Sequence, residues 1–246
     1  MLRGIYTAAS AMGFQIDAVG VFAHNLSNSG TSGFKRSELI SQSFPNMVIQ
    51  MGDGKSSPLG LGVGAQQSLL DQGQGALKNT HNPLDVAIEG DGYFQTRRPN
   101  GTMDITRNGA FAVNAKKQLV SRTGDVVVGA NNQPIQFLEG VESQIRVQVD
   151  GTITELGNQV GKLKIVQGKP SSQGLAPQLQ RFAALVQDAG PQKTPQMRQG
   201  FLEESNVSII KEMVSLLGSQ KNYDVGQKLI QASDKMLDKV INEMGR

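Results

Sequence analysis

The 246-residue chain carries 24 Lys and Arg against 21 Asp and Glu, so its formal net charge is only +3. The basic residues are scattered, which argues against a nucleic-acid binder, because such proteins concentrate positive charge on one face. No cysteine is present, so the chain has neither a disulfide framework nor thiolate chemistry.

The first predicted element is a helix over residues 1–30. Its apolar side chains recur with a 3,4,3,4 spacing, which is typical of a coiled-coil seam rather than of the wider stripe of a helix on a globule. Gly13 and Gly20 each cost about 1 kcal/mol relative to Ala. We therefore expect this helix to gain its stability from a partner. The predicted seam comprises Leu2, Ile5, Ala9, Met12, Ile16, Val19, Ala23 and Leu26.

The middle of the chain, roughly residues 80–170, predicts a compact antiparallel β domain. Short runs containing apolar residues are separated by Asn-Gly at 100–101 and 108–109 and by Asp-Gly at 150–151. Asn-Gly between such runs is a strong hairpin signal, because both residues tolerate positive φ. On either side, residues 31–79 and 171–204 are rich in Gly, Ser, Pro and Gln, and we expect extended connectors there.

The last predicted element is a helix over residues 205–246, with Ser205 or Asn206 as its N-cap. Its main apolar positions lie seven residues apart, and a companion position is apolar only at the two ends of the helix. The two terminal helices form either a helical hairpin within one chain or a seam between chains. The predicted seam comprises Ile209, Met213, Leu216, Tyr223, Ile230, Leu237 and Ile241.

These elements predict an α+β fold, with the terminal helices forming a coiled-coil-like domain and the central β-rich domain lying between extended connectors. No catalytic, cofactor or metal site is expected. His24 and His81 are far apart in sequence and belong to no helical ligand pair, and no Gly-x-Ser-x-Gly elbow is present. The glycine-rich stretch 60–66 lacks the spacing of a nucleotide-binding loop.

No direct membrane insertion is expected either. No apolar run approaches the ~20 residues that a membrane span needs. Residues 1–20 lack the continuous apolar core of a signal peptide. If the chain leaves the cytoplasm, we expect export without a cleaved signal peptide.

Three parts of the chain together resemble flagellar basal-body rod and hook proteins. The first contains "IYTAASAM", "NLSN" and "GFKR"; the second contains "NPLDVAIEGDGYFQ" and "TRNGAFAVNAKKQLV"; the third runs from "GFLEESN" to "DKMLDKVI". The order and placement of these matches are those of the family. The chain departs from it at His24, where the family usually has asparagine, and at Ser27, where alanine is common.

The resemblance implies a structural, non-enzymatic subunit without cofactors, most like a proximal or distal rod protein. Such a subunit polymerises through its terminal helices into the drive shaft that transmits torque from motor to hook. Its implied partners are copies of itself, other rod and hook subunits and the flagellar type III export apparatus. Its implied location is the extracytoplasmic rod of the basal body.

The resemblance also gives a role to the small polar residues that follow the first helix. They would form a junction between an inner tube and an outer domain, with Asn28 or Gly30 in a left-handed helix cap and Phe34 packed at the junction. The junction motif comprises Asn25, Asn28, Thr31, Gly33, Phe34 and Lys35.

Two interpretations from other classes remain beside this one. The first is a secreted or surface adhesin-like β protein that oligomerises through helical ends. Heptads at both termini suit a tubular assembly better than a stalk at one end. The second is an unrecognised hydrolase, which the missing nucleophile motif disfavours.

Overall fold

The structure is a computed structural model that describes residues 2–43, 47–50, 56–59, 62–138, 144–167, 182–183, 187–188 and 195–244. The chain divides into two compact units. The helical unit contains residues 1–27, 37–69 and 208–246, and the β unit contains residues 28–36 and 70–207. Helices at both ends of the chain and antiparallel strands between them confirm the predicted α+β class.

The N-terminal helix, α1, spans Leu2–Ser27. A turn follows it, in which the amide of Thr31 donates to the carbonyl of Asn28 at 3.1 Å. Neither Asn28 nor Gly30 has positive φ, so the predicted left-handed cap is wrong. The turn ends the helix with ordinary backbone angles, and the left-handed residue comes later, at Gly33, whose φ is 70°.

The C-terminal helix, α2, spans Ile209–Met244. It starts directly after Ser208, whose carbonyl accepts the amide of Glu212 at 3.0 Å. The predicted caps, Ser205 and Asn206, therefore lie too early. The side chain of Asn206 is engaged elsewhere, because its Oδ1 accepts the amide of Arg36 at 2.7 Å.

Four strands belong to the helical unit, and they lie in the predicted connector 31–79. β1 (Ser37–Ser43) pairs with β4 (Val63–Leu70), and β2 (Met47–Gln50) forms a hairpin with β3 (Ser56–Leu59). Most side chains of β1 are exposed. A strand whose side chains are mostly exposed, such as β1, needs no alternation of apolar and polar residues, so the sequence pattern does not reveal it.

The β unit contains the remaining strands, and the pairs among them are antiparallel. They are β5 Leu77–Asn79, β6 Val86–Glu89, β7 Tyr93–Arg97, β8 Met103–Thr106, β9 Phe111–Val113, β10 Leu119–Ser121, β11 Val126–Val127, β12 Ile145–Val147, β13 Thr152–Glu155, β14 Asn158–Lys162, β15 Ile165–Gln167, β16 Phe182–Ala183, β17 Gln187–Asp188, β18 Gln196–Gln199 and β19 Phe201–Glu203.

The largest sheet of the β unit has the order β16-β8-β7-β11-β10-β9, and β15 also pairs with β7 and β17. Strands β12, β13 and β14 form a second sheet. Phe94 and Phe111 meet edge to face with their ring centroids 5.1 Å apart. The buried core comprises Leu84, Val86, Ile88, Phe94, Phe111, Leu119, Val127, Ile135, Phe137, Ile145, Ile153, Leu163 and Met197.

Two of the predicted hairpins are confirmed and one is wrong. Gly101 between β7 and β8 and Gly151 between β12 and β13 both have a φ of 85° and lie in turns between antiparallel strands. By contrast, Asn108 and Gly109 do not close a hairpin, because β8 and β9 are not neighbours in the sheet. A Cβ on Gly109 would lie 1.7 Å from the carbonyl oxygen of Val86, so the glycine serves a close backbone approach.

The β unit also extends beyond the predicted limits of residues 80–170. β18 pairs with β6, and β19 pairs with β5, although residues 171–204 were expected to form a connector. Much of that range, namely residues 171–181, 184–186 and 189–194, lies outside the described residues. Both strand pairs join positions more than a hundred residues apart, and local sequence patterns do not report such pairing.

Candidate assembly site

The helical unit brings the two terminal helices together, and a close approach defines their contact. A Cβ added to Gly226 of α2 would lie 2.6 Å from Cγ of Met12 of α1. Only glycine allows this spacing without displacing the methionine side chain. The sequence did not decide whether the terminal helices pair within one chain or between chains. In this structure they are in contact within one chain.

The predicted seam of α1 divides into two sets. Alternate positions are half-buried, and the positions between them are exposed. The most buried residues of α1 are instead Ala18, Val21 and Asn25. These three residues also follow a 3,4 spacing. A search for large apolar residues does not find it, because two of the three are an alanine and an asparagine. The half-buried set is Ile5, Met12, Val19 and Leu26, the exposed set is Ala9, Ile16 and Ala23, and the side chain of Leu2 lies outside the described residues.

The predicted seam of α2 divides in a similar way. The buried positions of α2 lie outside that seam: they are Glu212, Ser219 and Gly226, which lie seven residues apart and are small or polar. Sequence reasoning missed them, although their heptad spacing was a usable signal. Of the predicted positions, Leu216, Ile230 and Leu237 are half-buried, Ile209, Met213 and Tyr223 are exposed, and the side chain of Ile241 lies outside the described residues.

A second apolar stripe runs along α2 and is exposed in the chain. Ile210 is 77% exposed and Val214 is 65% exposed. Successive members lie three, four, seven or eight residues apart, so most of them follow one side of the helix. The outer stripe comprises Ile210, Val214, Leu217, Val225, Leu229, Met236 and Val240.

Asn25 of the junction motif is a buried connector within the helical unit. Its Nδ2 donates to the carbonyl of Ser37 at 2.8 Å and to Oε2 of Glu212 at 3.2 Å, and its Oδ1 accepts the amide of Ser37 at 2.9 Å. These contacts link the end of α1, the start of β1 and the first turn of α2. On the preceding residue, burial lowers the pKa of His24 from its ordinary value.

The other members of the junction motif belong to the β unit. Phe34 is buried, with 2% of its surface exposed, and its amide donates to the carbonyl of Thr31 at 3.2 Å. Gly33 lies against the backbone of Arg107, where a Cβ would come within 2.6 Å. Its positive φ and this contact together require glycine. Asn28 and Thr31 form the turn after α1.

Lys35 enters a buried ionic cluster centred on Glu203. Lys35 Nζ lies 2.7 Å from Glu203 Oε1, and Arg107 Nε lies 2.6 Å from Glu203 Oε2. At most 4% of each of the three side chains is exposed. The amide of Gly75 also donates to Glu203 Oε1 at 3.0 Å, and Lys35 donates to the carbonyl of Gly73 at 2.9 Å.

The electrostatics of the cluster favour a charged carboxylate. Burial alone would raise the pKa of Glu203, but hydrogen bonds from Lys35 and Arg107 outweigh it and hold the pKa below the ordinary value. Burial lowers the pKa of Lys35, and the hydrogen bond to Glu203 offsets only part of this shift. Glu203 therefore supplies the negative charge that compensates the burial of both Lys35 and Arg107.

Comparisons with known proteins match the segments that meet at these sites. A family model described as the flagellar hook protein FlgE/F/G D1 domain matches residues 87–155, and one described as the flagellar basal body rod FlgEFG protein C-terminal matches residues 198–243. The chain is 33% identical to the flagellar basal-body rod protein FlgG of Borreliella burgdorferi, over 96% of this chain and 97% of that protein. The chain belongs to the flagellar basal-body rod protein family.

Two further rod proteins are similar over nearly their whole length. The flagellar basal-body rod protein FlgF of Rhizobium meliloti is 32% identical, over 100% of this chain and 99% of that protein. The FlgG protein of Buchnera aphidicola subsp. Baizongia pistaciae is 30% identical, over 98% of this chain and 99% of that protein. The resemblance seen in the sequence is confirmed, and the adhesin interpretation has no support.

As a member of the rod protein family, the chain is a structural subunit of the bacterial flagellar basal body. Within the part of the chain that the structure describes, no group of three or more His, Asp or Glu side chains is arranged to hold a metal ion. No helix among the described residues is long and apolar enough to cross a membrane. The three family segments converge on Glu203: Lys35 comes from the first, Arg107 from the second and Glu203 from the third.

Proposed function

We propose that this rod subunit polymerises through its terminal helices into the drive shaft that transmits torque from the motor to the hook. The observation that carries the proposal is the outer stripe of α2. The helix already buries Glu212, Ser219 and Gly226 within its own chain, and it presents seven large apolar residues to solvent. A large apolar surface left exposed on a helix marks a site that another protein covers.

The covering partners in this proposal are copies of the same chain and other rod and hook subunits. The exposed set on α1 supports it, since Ile16 is 59% exposed at a position of the predicted seam. Many apolar contacts between neighbouring helices, repeated in every subunit, distribute a twisting load along the shaft. Because such contacts need no chemistry, we expect no cofactor and no turnover of a small molecule.

The subunit reaches the extracytoplasmic rod through the flagellar type III export apparatus in this proposal. The absence of cysteine supports it, because a chain that crosses compartments is then indifferent to their redox state.

The experiment compares two lysine substitutions on α2 of the full chain. Val225→Lys places a charge in the outer stripe, whereas Gln231→Lys places the same charge at an exposed polar position outside it. Lysine is a good helix former, so both variants should keep their helical circular dichroism. Electron microscopy and sedimentation should show rods for the wild type and Gln231→Lys, and dispersed subunits for Val225→Lys. Rods of normal length from Val225→Lys would refute the proposal.

A further inference from the structure

The last part of the β unit is tied to regions that lie far earlier in the chain. Residues 196–206, which we name the closing segment, supply β18 and β19, which pair with β6 and β5. Glu203 bonds to partners that are 168, 128 and 96 positions away, namely Lys35, Gly75 and Arg107. The carbonyl of Glu203 accepts the amide of Gly33 at 2.7 Å.

Asn206 adds a second set of ties at the end of the closing segment. Its Oδ1 accepts the amide of Arg36 at 2.7 Å, and its Nδ2 donates to the carbonyls of Asp71 and Gly73 at 3.1 Å each. Its amide donates to the carbonyl of Phe34 at 3.3 Å. The closing segment thus joins residues 33–36 to residues 71–77.

Before this segment docks, the β unit lacks the anion that neutralises two of its buried cations. Lys35 and Arg107 are both buried, and Glu203 is the anion that hydrogen-bonds both of them. Arg107 also donates to the carbonyls of Ile88 and Gly90 at 3.1 Å and 2.5 Å, but carbonyl groups do not neutralise a cation. Asp71 attracts Lys35 more weakly than Glu203 does, and no hydrogen bond joins the two side chains among the described contacts. Without Glu203, two buried cations repel each other in one site.

We infer that residues 196–206 lock the β unit late, so that the strands preceding them reach their stable state only when Glu203 docks between Lys35 and Arg107. In a chain that is made from its N-terminus, this anion arrives after nearly all of the β unit. The β unit is therefore held open until its final segment is available. This lock concerns the folding of the single chain and does not depend on the proposed polymerisation.

Pulse-labelled hydrogen exchange during refolding of the full-length wild type tests the order of events. The lock requires that amides of Val86–Glu89 and Tyr93–Arg97 gain lasting protection in the same kinetic phase as those of Gln196–Gln199 and Phe201–Glu203. Lasting protection of Val86–Glu89 and Tyr93–Arg97 in an earlier phase would overturn the inference. Because the wild type is used, the result does not depend on whether a variant folds.

A pair of neighbouring substitutions in the full chain tests the role of the charge. Glu203→Gln keeps the size of the side chain but removes the buried anion, whereas Glu204→Gln changes an exposed residue whose ion pair with Lys78 spans 3.6 Å at the surface. Native-state exchange protection of Val86–Glu89 should fall by about a hundredfold or more in Glu203→Gln, because a buried ion pair loses one partner. It should change by less than about threefold in Glu204→Gln.

Three outcomes of the variant experiment are informative. Glu203→Gln with a loss of protection confined to residues 201–206 would overturn the inference, because the segment would then be an addition to an already stable unit. If Glu203→Gln does not fold, Lys35→Met in the same chain should restore folding by removing a cation that has lost its partner. Failure of that double variant to recover any β structure would also count against the lock.

Discussion

Asn25 and Glu212 are 187 positions apart in sequence, yet Nδ2 of Asn25 lies 3.2 Å from Oε2 of Glu212 in the buried contact of the terminal helices. Both side chains are almost completely buried. The same asparagine donates to and accepts from the backbone of Ser37. An asparagine fits this site because it offers both a donor and an acceptor, so a carboxylate and both backbone groups of Ser37 are bound by one side chain.

Replacing Asn25 with alanine should destabilise the helical unit by about 2–3 kcal/mol, because buried polar groups of Ser37 and Glu212 lose a partner. Urea unfolding, followed by the helical circular dichroism signal, measures the change. Asn222→Ala is the matched control, since Asn222 is exposed on α2, and it should be neutral or slightly stabilising. Equal effects of the two substitutions would contradict the buried role of Asn25.

Two glycines of α2 should respond to alanine in opposite ways. A Cβ added to Gly218 would have no atom within 4 Å, so Gly218→Ala should stabilise the helix by about 1 kcal/mol. At Gly226 an added Cβ would overlap Met12, so Gly226→Ala should instead lower the melting temperature. Combining it with Met12→Ala removes the overlap and should recover part of the loss. A stabilising effect of Gly226→Ala alone would mean that the helices do not approach this closely.

The sequence predicted the existence of both helices but not the faces they bury. Large apolar residues mark one heptad on α1, whereas the buried positions Ala18, Val21 and Asn25 belong to another, and a 3,4 spacing fits both. Which of the two heptads is buried depends on the size of the side chains where the helices approach closely, as at Gly226. Local patterns do not contain that information, because it depends on the partner helix.

The ionic cluster was still less accessible to sequence reasoning. Lys35, Arg107 and Glu203 each resemble an ordinary surface charge in the sequence, and only the family resemblance points to Lys35. Their burial follows from pairings across 168 and 96 positions. The strands β18 and β19 escaped detection for the same reason, since their stabilising partners β6 and β5 are distant in the chain.

The stability of the β unit should fall in acid because of Glu203. Its pKa is lowered from the ordinary 4.5, so the folded state binds the proton less tightly than the unfolded state. The stabilisation is present above about pH 4.5 and is lost as the pH falls through the lower folded pKa. The pKa of Lys35 is lowered from 10.5, so this residue affects the stability only at alkaline pH and not in the acid range where Glu203 titrates.

Two measurements check this pH dependence. An NMR titration of the Glu203 carboxyl in the wild type should give a midpoint below 4.5. Urea midpoints over the same pH range should fall more steeply for the wild type than for Glu203→Gln. Asp150 also has a lowered pKa, through hydrogen bonds from Thr152, but it is present in both proteins and cancels in the comparison. Parallel curves for the two proteins would contradict the assignment.

Folding and polymerisation should be separable at Ile16 but not at Met12, the preceding position of the predicted α1 seam. Ile16 is 59% exposed in the chain, so Ile16→Lys leaves the contact between α1 and α2 intact. If a neighbouring subunit covers this position in the rod, the lysine is buried there without a partner, at a cost of several kcal/mol in every subunit. We expect a soluble, folded subunit that forms no rods. Met12→Lys should differ, because Met12 already faces Gly226 within the chain, and we expect it to weaken the helix pair itself.

Asp17→Lys is the control for both substitutions, since Asp17 is an exposed residue of α1 outside the predicted seam. It should fold and polymerise like the wild type. Thermal melting with circular dichroism reports folding, and electron microscopy reports rods, so each variant gives two independent readings. The β unit should melt normally in all three, because its core contains no residue of α1. Rods from Ile16→Lys would show that this face of α1 stays exposed in the assembly, and loss of rods in Asp17→Lys would show that charge alone, rather than its place on the seam, blocks polymerisation.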